Sequence, residues 1–252
     1  MKLTKQEFIK QPRKAITLIG MSGAGKTYIS CQLEKWGWYN YSCDYVIGAD
    51  YLKDELQNTN GLSAENIGAL SVYLGKLGKP SLGGFDLELF KKRQKSYYDA
   101  EVEALYAMGE TLNKTQEHFV HDSTGSLCEI QDEAVLKQIG EQTMFVYLKT
   151  GETEEREVLQ RARDYPKPLF FPPQFLSEKL NEYMTENHHS EIEEIVPDDF
   201  SRWVFPLLFE ARKPKYQRLA DLYGVTISSD AFKTLQSSDS FIDIIASHLD
   251  DA

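Results

Sequence analysis

The chain has 252 residues, 41% of them hydrophobic, with 28 Lys and Arg against 39 Asp and Glu and a formal net charge of −11. Length and apolar content allow an α/β domain with its own core and exclude a wholly disordered chain, while the acidic balance argues against a nucleic-acid partner. No apolar run approaches the roughly 18 residues that span a bilayer, the charged start MKLTKQEFIKQPRK has no leader-like apolar stretch, and Cys31, Cys43 and Cys128 form no CxxC pair, so the expectation is a cytoplasmic protein without membrane contact and with buried, reduced thiols.

In chain order, Ala15–Ile19 is a compact apolar run, the pattern of a buried strand. Gly20-Met21-Ser22-Gly23-Ala24-Gly25-Lys26-Thr27 follows and fits G-x-x-x-x-G-K-[ST] at every position. Glycines at these places let successive backbone N–H groups curl around phosphate oxygens. The pattern needs a strand before it and a helix after it. The helix is supplied by residues 27–36, with Ile29, Leu33 and Trp36 at helical spacing and Gly37 as its stop. The loop therefore predicts a bound nucleoside triphosphate, ATP with Mg²⁺. Backbone and side chains of Gly20, Ser22, Gly23, Ala24, Gly25, Lys26, Thr27 and Tyr28 would face the phosphates. Lys26 supplies a cation to the β and γ phosphates, and the Thr27 hydroxyl ligates the metal.

Beyond the loop, Trp38–Tyr41 reads as an aromatic strand, and residues 45–85 as short helices and loops marked by Gly61, Gly68, Gly75, Gly78, Gly83 and Gly84. Glu88–Met108 has a long amphipathic pattern. His118–His121 reads as a strand followed by a turn at Asp122–Ser126. Asp132–Ile139 is helical, Met144–Leu148 a buried strand, and Thr153–Arg163 helical again. Residues 164–200 hold five prolines and an acidic stretch and read as an inserted, partly mobile segment. Lys215–Tyr223 is a helix with Pro214 near its first turn, Val225–Ile227 a last strand, and Phe241–Leu249 a terminal helix. Alternation of strands and helices predicts a three-layer αβα domain spanning residues 1–252. Its sheet is mainly parallel and five-stranded, with insertions near 50–85 and near 160–205; the resemblance described next implies that the fold is of P-loop kinase type and that the second insertion is a lid.

The order of these segments resembles the shikimate kinase family of P-loop kinases. ITLIGMSGAGKT is similar to that family's first strand and phosphate loop, and YSCDYVIG to its second strand with a substrate-binding aspartate. HDSTGSLCEI resembles its glycine-rich substrate turn, FVYL with ARDYPKPLF its fourth strand and lid, and ARKPKYQRLADLYGVTI its R-x-P-x-Y segment and last strand. The resemblance implies transfer of the ATP γ-phosphate to a hydroxyl of a small anionic metabolite. It also implies Asp44 as the group that orients or deprotonates the acceptor, Gly125 and Ser126 as substrate contacts, Arg212 as the grip on a substrate anion, and Arg163 as the lid cation. Ser42 stands where the family has a first, metal-holding aspartate, and the lid motif reads Lys167-Pro168-Leu169.

Asp122 is the carboxylate that replaces the charge missing at Ser42. At the end of a strand it is placed to hold Mg²⁺ as a Walker B aspartate does, and Thr27 with Asp122 forms the expected metal site. The catalytic set is then Lys26, Asp44, Asp122 and Arg163. Arg161 and Arg163 lie two apart and point to different helix faces, so one of them enters the site. Lys91, Lys92, Arg93 and Lys95 read as a solvated basic helix face; the resemblance implies a substrate-binding arginine near this helix, for which Arg93 is the candidate. His118, His121, His188 and His189 lack the spacing of a zinc site, and Tyr97, Tyr98, Trp203 and Phe205 read as packing residues. The alternative to a small-molecule kinase is an ATPase or nucleotide-dependent switch acting with a protein partner, for which water is the acceptor.

Overall fold

The computed structural model of the chain describes residues 3–58 and 67–251, and Gly61 lies outside them. The chain runs α1 (Lys5–Lys10), β1 (Ala15–Ile19), α2 (Lys26–Lys35), β2 (Tyr39–Ser42), α3 (Cys43–Val46), α4 (Lys53–Asn58), α5 (Ile67–Leu74) and α6 (Leu87–Lys114). It continues with β3 (Phe119–Asp122), α7 (Glu133–Gln142), β4 (Met144–Lys149), α8 (Glu152–Asp164), α9 (Pro173–Glu186), α10 (Pro197–Tyr223), β5 (Gly224–Ser228) and α11 (Ser238–Ser247). The chain divides into two compact units. One holds residues 1–43, 102–155 and 212–252, the other residues 44–101 and 156–211. No helix among the described residues is long and apolar enough to cross a membrane.

The first unit is a three-layer α/β fold built on five parallel strands in the order β2-β3-β1-β4-β5. Parallel strands are covered by helices on both faces, so they read as continuous apolar runs. β1 (AITLI) and β4 (MFVYLK) are buried at nearly every position. On one face Ile16, Leu18, Val120, Met144, Val146, Leu148, Val225 and Ile227 alternate inward. They pack with Ile29 and Leu33 of α2, Phe8 of α1, and Phe241 and Ile245 of α11. On the other face the Tyr147 ring stacks on Tyr216 of α10 with centroids 5.5 Å apart. The Tyr41 hydroxyl there donates to the Ala104 carbonyl of α6 at 2.6 Å.

That second face also buries His121. Its Nδ1 lies 3.2 Å from Thr17 Oγ1, which in turn meets Thr143 Oγ1 at 2.7 Å, and its Nε2 has no hydrogen-bond partner. Burial pushes its pKa from the ordinary 6.5 down to about 3. The unfolded chain therefore binds one more proton than the folded one between those values. Stability from this group is full above about pH 6.5 and is lost as pH falls toward 3, at about 1.4 kcal/mol per pH unit. Between pH 7 and 5 the wild type is expected to lose about 2 kcal/mol more than His121→Gln in urea unfolding. Equal losses would show that His121 does not titrate on unfolding.

The second unit corrects the reading of residues 164–200 as a partly mobile insertion. Phe171, Leu176, Leu180, Tyr183, Ile195, Phe200, Val204 and Leu208 form a core with Leu77 and Phe90. Two of the five prolines of residues 164–200 start elements instead of loosening the chain: Pro173 opens α9 and Pro197 opens α10. The helix expected at residues 215–223 with Pro214 in its first turn is likewise longer. α10 begins at Pro197 and runs through both Pro206 and Pro214. Each interior proline costs about 3 kcal/mol. One face of α10 nevertheless buries Phe200, Val204, Phe205, Leu208, Phe209, Tyr216 and Leu219, at about 1.5–3 kcal/mol for each large apolar side chain, so burial outweighs the two prolines. The thiols also differ from expectation: Cys43 is buried, Cys128 intermediate and Cys31, on the outer side of α2, exposed.

Candidate active site

The phosphate loop joins β1 to α2 through backbone that only glycine adopts easily. Gly20, Gly23 and Gly25 have φ of 145°, 92° and 93°. A Cβ on Gly20 would stand 3.1 Å from the Leu148 carbonyl oxygen, so the loop closes against the end of β4. Gly25 is the N-cap of α2 and gives no side-chain cap, which leaves the first amide groups of the helix pointing into the loop. Ser22, Gly23, Thr27 and Tyr28 are exposed, while Met21 and Ala24 anchor the loop in the core. Lys26 is buried, and its ammonium donates to the carbonyls of Gly20 at 2.7 Å and Met21 at 3.2 Å. A lysine in the first turn of a helix, beside the amides at its positive end, suits a polyphosphate.

This loop has the backbone geometry that its G-x-x-x-x-G-K-[ST] sequence predicts, on a three-layer α/β fold.

Asp122, the last residue of β3, pairs in register with Leu18 of β1 and Ser42 of β2. It is 7% exposed. Burial raises its pKa, and the Lys26 cation and hydrogen bonds from Thr27 and Ser30 oppose that rise. One carboxylate oxygen, Oδ1, has no hydrogen-bond partner although it is buried. A buried acceptor normally finds a donor, and an orphaned carboxylate oxygen next to a hydroxyl fits a hard cation. Mg²⁺ takes oxygen ligands and is held by one or two protein groups, with phosphate and water completing the shell. Thr27 and Asp122 fit that donor set.

The turn after Asp122 is tied to both neighbours. Ser123 Oγ donates to the Leu18 carbonyl at 2.6 Å, and the Ser126 amide donates to Thr124 Oγ1 at 3.1 Å. A Cβ on Gly125 would stand 3.4 Å from the Ser22 amide nitrogen and 3.6 Å from Ser22 Cβ. The turn thus lies against the phosphate loop. From its other side the Gly125 carbonyl accepts from Arg212 Nη1 at 2.9 Å and from the Tyr216 hydroxyl at 2.7 Å.

Arg212 itself is 4% exposed. Its Nε donates to Glu129 Oε1 at 3.1 Å, and Lys215 pairs with Oε2 of the same carboxylate. Two of the arginine's donors are therefore committed to Glu129 and Gly125. Burial among these groups pushes the Cys128 thiol up to about 12, with Arg212 opposing, so this cysteine is inert at neutral pH.

The structure brings Gly20–Thr27, Asp122, Gly125, Ser126 and Arg212 together in one unit. Asp44 and Arg163 belong to the other. Asp44 is the second residue of the short helix α3, is half-buried, and is followed by a π-helical stretch, Ile47–Tyr51. Arg163 is exposed in the last turn of α8, where its carbonyl accepts from Arg202 Nε at 2.9 Å. Arg161 and Lys167 are exposed as well. Two residues of the site were not picked out from sequence. Ser30 lies four residues after Lys26, one helical turn on, and that spacing was a usable signal. Glu129 carries no local signal, because its arginine is 83 positions away.

No protein-family model and no curated protein sequence matches the chain. Solved structures do. The chain is similar to a shikimate kinase from Acinetobacter baumannii in complex with shikimate, at 15% identity over 94% of this chain and 92% of that one, with a TM-score of 0.46. It is similar to a shikimate kinase from Bacteroides thetaiotaomicron at 15% identity over 91% and 94%, with a TM-score of 0.48. A gluconokinase from Sinorhizobium meliloti matches at 16% identity over 79% of this chain and 97% of that one, with a TM-score of 0.32.

Proposed function

We propose that the protein is a Mg²⁺-dependent phosphotransferase that moves the γ-phosphate of ATP to a hydroxyl of a small anionic metabolite in the cytoplasm. The observation that carries this reading is the buried Asp122 carboxylate, one oxygen of it unpartnered, bonded to Thr27 beside Lys26. A loop that only bound phosphate would not need a desolvated carboxylate there, since an anion facing an anion is unfavourable without a cation between them.

Residues Gly20–Thr27 hold the triphosphate through backbone amides, with Tyr28 at the edge of the loop. Thr27 and Asp122 would hold Mg²⁺, which would supply charge neutralisation at the phosphates. Lys26 exchanges its carbonyl partners for phosphate oxygens. The Gly125–Ser126 turn, braced by Arg212, presents the acceptor to the loop. Asp44 orients the acceptor hydroxyl and takes its proton, and Arg163 is the lid cation; both roles are assigned from sequence order. The Lys213–Glu155 pair at 2.8 Å and the Arg212–Glu129 pair leave the R-x-P-x-Y segment supporting the turn more than facing a ligand.

Turnover of ATP against a panel of hydroxylated carboxylic acids, shikimate and gluconate included, tests the proposal. A kinase releases ADP in step with one acceptor. ADP release that no acceptor accelerates, and that a protein partner does accelerate, would replace this reading with an ATPase or switch. Lys26→Ala is expected to weaken ATP binding at least about tenfold, the value of one charge-assisted contact. Unchanged ATP binding in that variant would remove the loop from the proposal altogether.

A further inference from the structure

Ser30 of α2 is 0% exposed. In a helix interior serine is a poorer residue than alanine, and a core position gives its hydroxyl no water to bond. Ser30 lies three residues after Thr27, so the two hydroxyls share one face of the helix. Ser30 Oγ donates to the Thr27 carbonyl at 3.1 Å. This bond back along the helix satisfies the hydroxyl but does not account for its presence, since alanine would need no such bond.

What that face meets is the end of β3. Val120 packs with Ile29 and Leu33 of α2, and Asp122, two residues further along the strand, points to the same side of the sheet. Its carboxylate takes hydrogen bonds from Thr27 and Ser30, while Oδ1 has no partner. The two hydroxyls therefore hold the other oxygen, Oδ2, and leave Oδ1 open. Rotation of a carboxylate about its last bond is loosely restrained, so the direction of Oδ1 is set by whatever holds Oδ2. Thr27 is a poor anchor for this purpose, because it is exposed and its own oxygen is the other ligand for a cation. Ser30, buried one turn further along α2, is fixed by the core around it.

We propose that Ser30 is the positioning residue of the cation site: its hydroxyl holds Oδ2 of Asp122, so that Oδ1 and the Thr27 hydroxyl present a fixed pair of oxygens to Mg²⁺. This rests on the reading that Thr27 and Asp122 hold the metal. A group that orients a metal ligand without touching the metal is typically worth about tenfold to a hundredfold in affinity. A fixed pair matters more for Mg²⁺, which demands near-ideal octahedral geometry, than for Ca²⁺, whose shell is larger and adaptable. Ser30 therefore sets the preference between the two cations as well as the affinity.

The test is calorimetric titration of the whole protein with the β,γ-imido analogue of ATP in excess Mg²⁺, in excess Ca²⁺ and in EDTA. Ser30→Ala is expected to weaken binding by about tenfold to a hundredfold in Mg²⁺, by a smaller factor in Ca²⁺, and not at all in EDTA. Ser30→Cys, close in size and a weak donor, is expected to fall between wild type and Ser30→Ala in Mg²⁺. Unchanged binding of Ser30→Ala in Mg²⁺, or an equal loss in both cations, would overturn the proposal, since a packing role has no reason to tell Mg²⁺ from Ca²⁺. Should Ser30→Ala lose the analogue in EDTA as well, Ser30→Cys decides. A loss greatest in Mg²⁺ and absent in EDTA supports the proposal, and any other pattern overturns it. Wild type that binds the analogue equally in Mg²⁺ and EDTA would remove Thr27 and Asp122 as the metal site, and this proposal with them; that failure is read before any variant is made. None of these measurements depends on whether phosphate is transferred.

Discussion

Asp122→Asn is expected to lower ATP turnover by at least about a hundredfold while raising the melting temperature of the protein without nucleotide. The two effects have one cause. Burial raises the Asp122 pKa, and the opposing Lys26, Thr27 and Ser30 do not cancel that rise. A carboxyl whose folded pKa lies above its unfolded value costs stability wherever it is ionised in the folded protein, so the cost is present at neutral pH and disappears as pH falls through the raised pKa. Asparagine keeps an oxygen for the Thr27 hydroxyl and removes the charge, which stabilises the fold. The same change deletes the anionic oxygen that a metal would use, and loss of one electrostatic partner of a reacting phosphate costs on the order of 10²–10³ in rate. Scanning calorimetry at pH 7 and pH 4.5 reads the first effect, with the gap between variant and wild type narrowing at the lower pH. Thermal shifts with ATP plus Mg²⁺ against ATP plus EDTA read the second: wild type separates the two conditions and Asp122→Asn does not. A variant that melts lower and turns over normally would show that Asp122 is a structural residue of the strand end.

How much of this was legible in the sequence follows from the range over which each feature is encoded. The strands AITLI and MFVYLK are local, apolar and covered on both faces, and their boundaries in the structure lie within about one residue of the sequence reading. The phosphate loop is local too, because eight consecutive residues dictate its backbone. Asp122 was legible from its place at a strand end. α9 and the first half of α10 were not. Local rules take Pro206 and Pro214 as helix breakers, whereas a buried face containing Phe200, Val204, Leu208 and Phe209 decides the outcome. Phe200, Val204 and Leu208 of that face share one core with Leu77 and Phe90 and with Phe171, Leu176, Leu180, Tyr183 and Ile195, contacts no local rule anticipates. The Arg212 ion pair lies at the far end of the same scale: a basic segment near the C-terminus and Glu129 share no pattern, and only the fold joins them.

Arg212→Met is expected to destabilise the protein by about 3 kcal/mol, the cost of breaking a buried ion pair from one side. The variant leaves Glu129 buried with Lys215 alone and takes one of two donors from the Gly125 carbonyl. Adding Glu129→Met to Arg212→Met removes the stranded charge, and Lys215, whose side chain is 42% exposed, turns to water. The double variant is therefore expected to regain most of the lost stability, since well-packed apolar replacements of a buried pair are often neutral. Kinetics of the same pair of variants separates the two roles open to Arg212. If the arginine acts by bracing the turn against Ser22, both kcat and stability recover together in the double variant, because the turn recovers its packing. If it instead grips an anionic group of the acceptor, KM for that acceptor stays high in the double variant although the fold is restored, because no packing change returns a guanidinium to the ligand. The buried geometry, with Nε on Glu129 and Nη1 on Gly125, favours recovery.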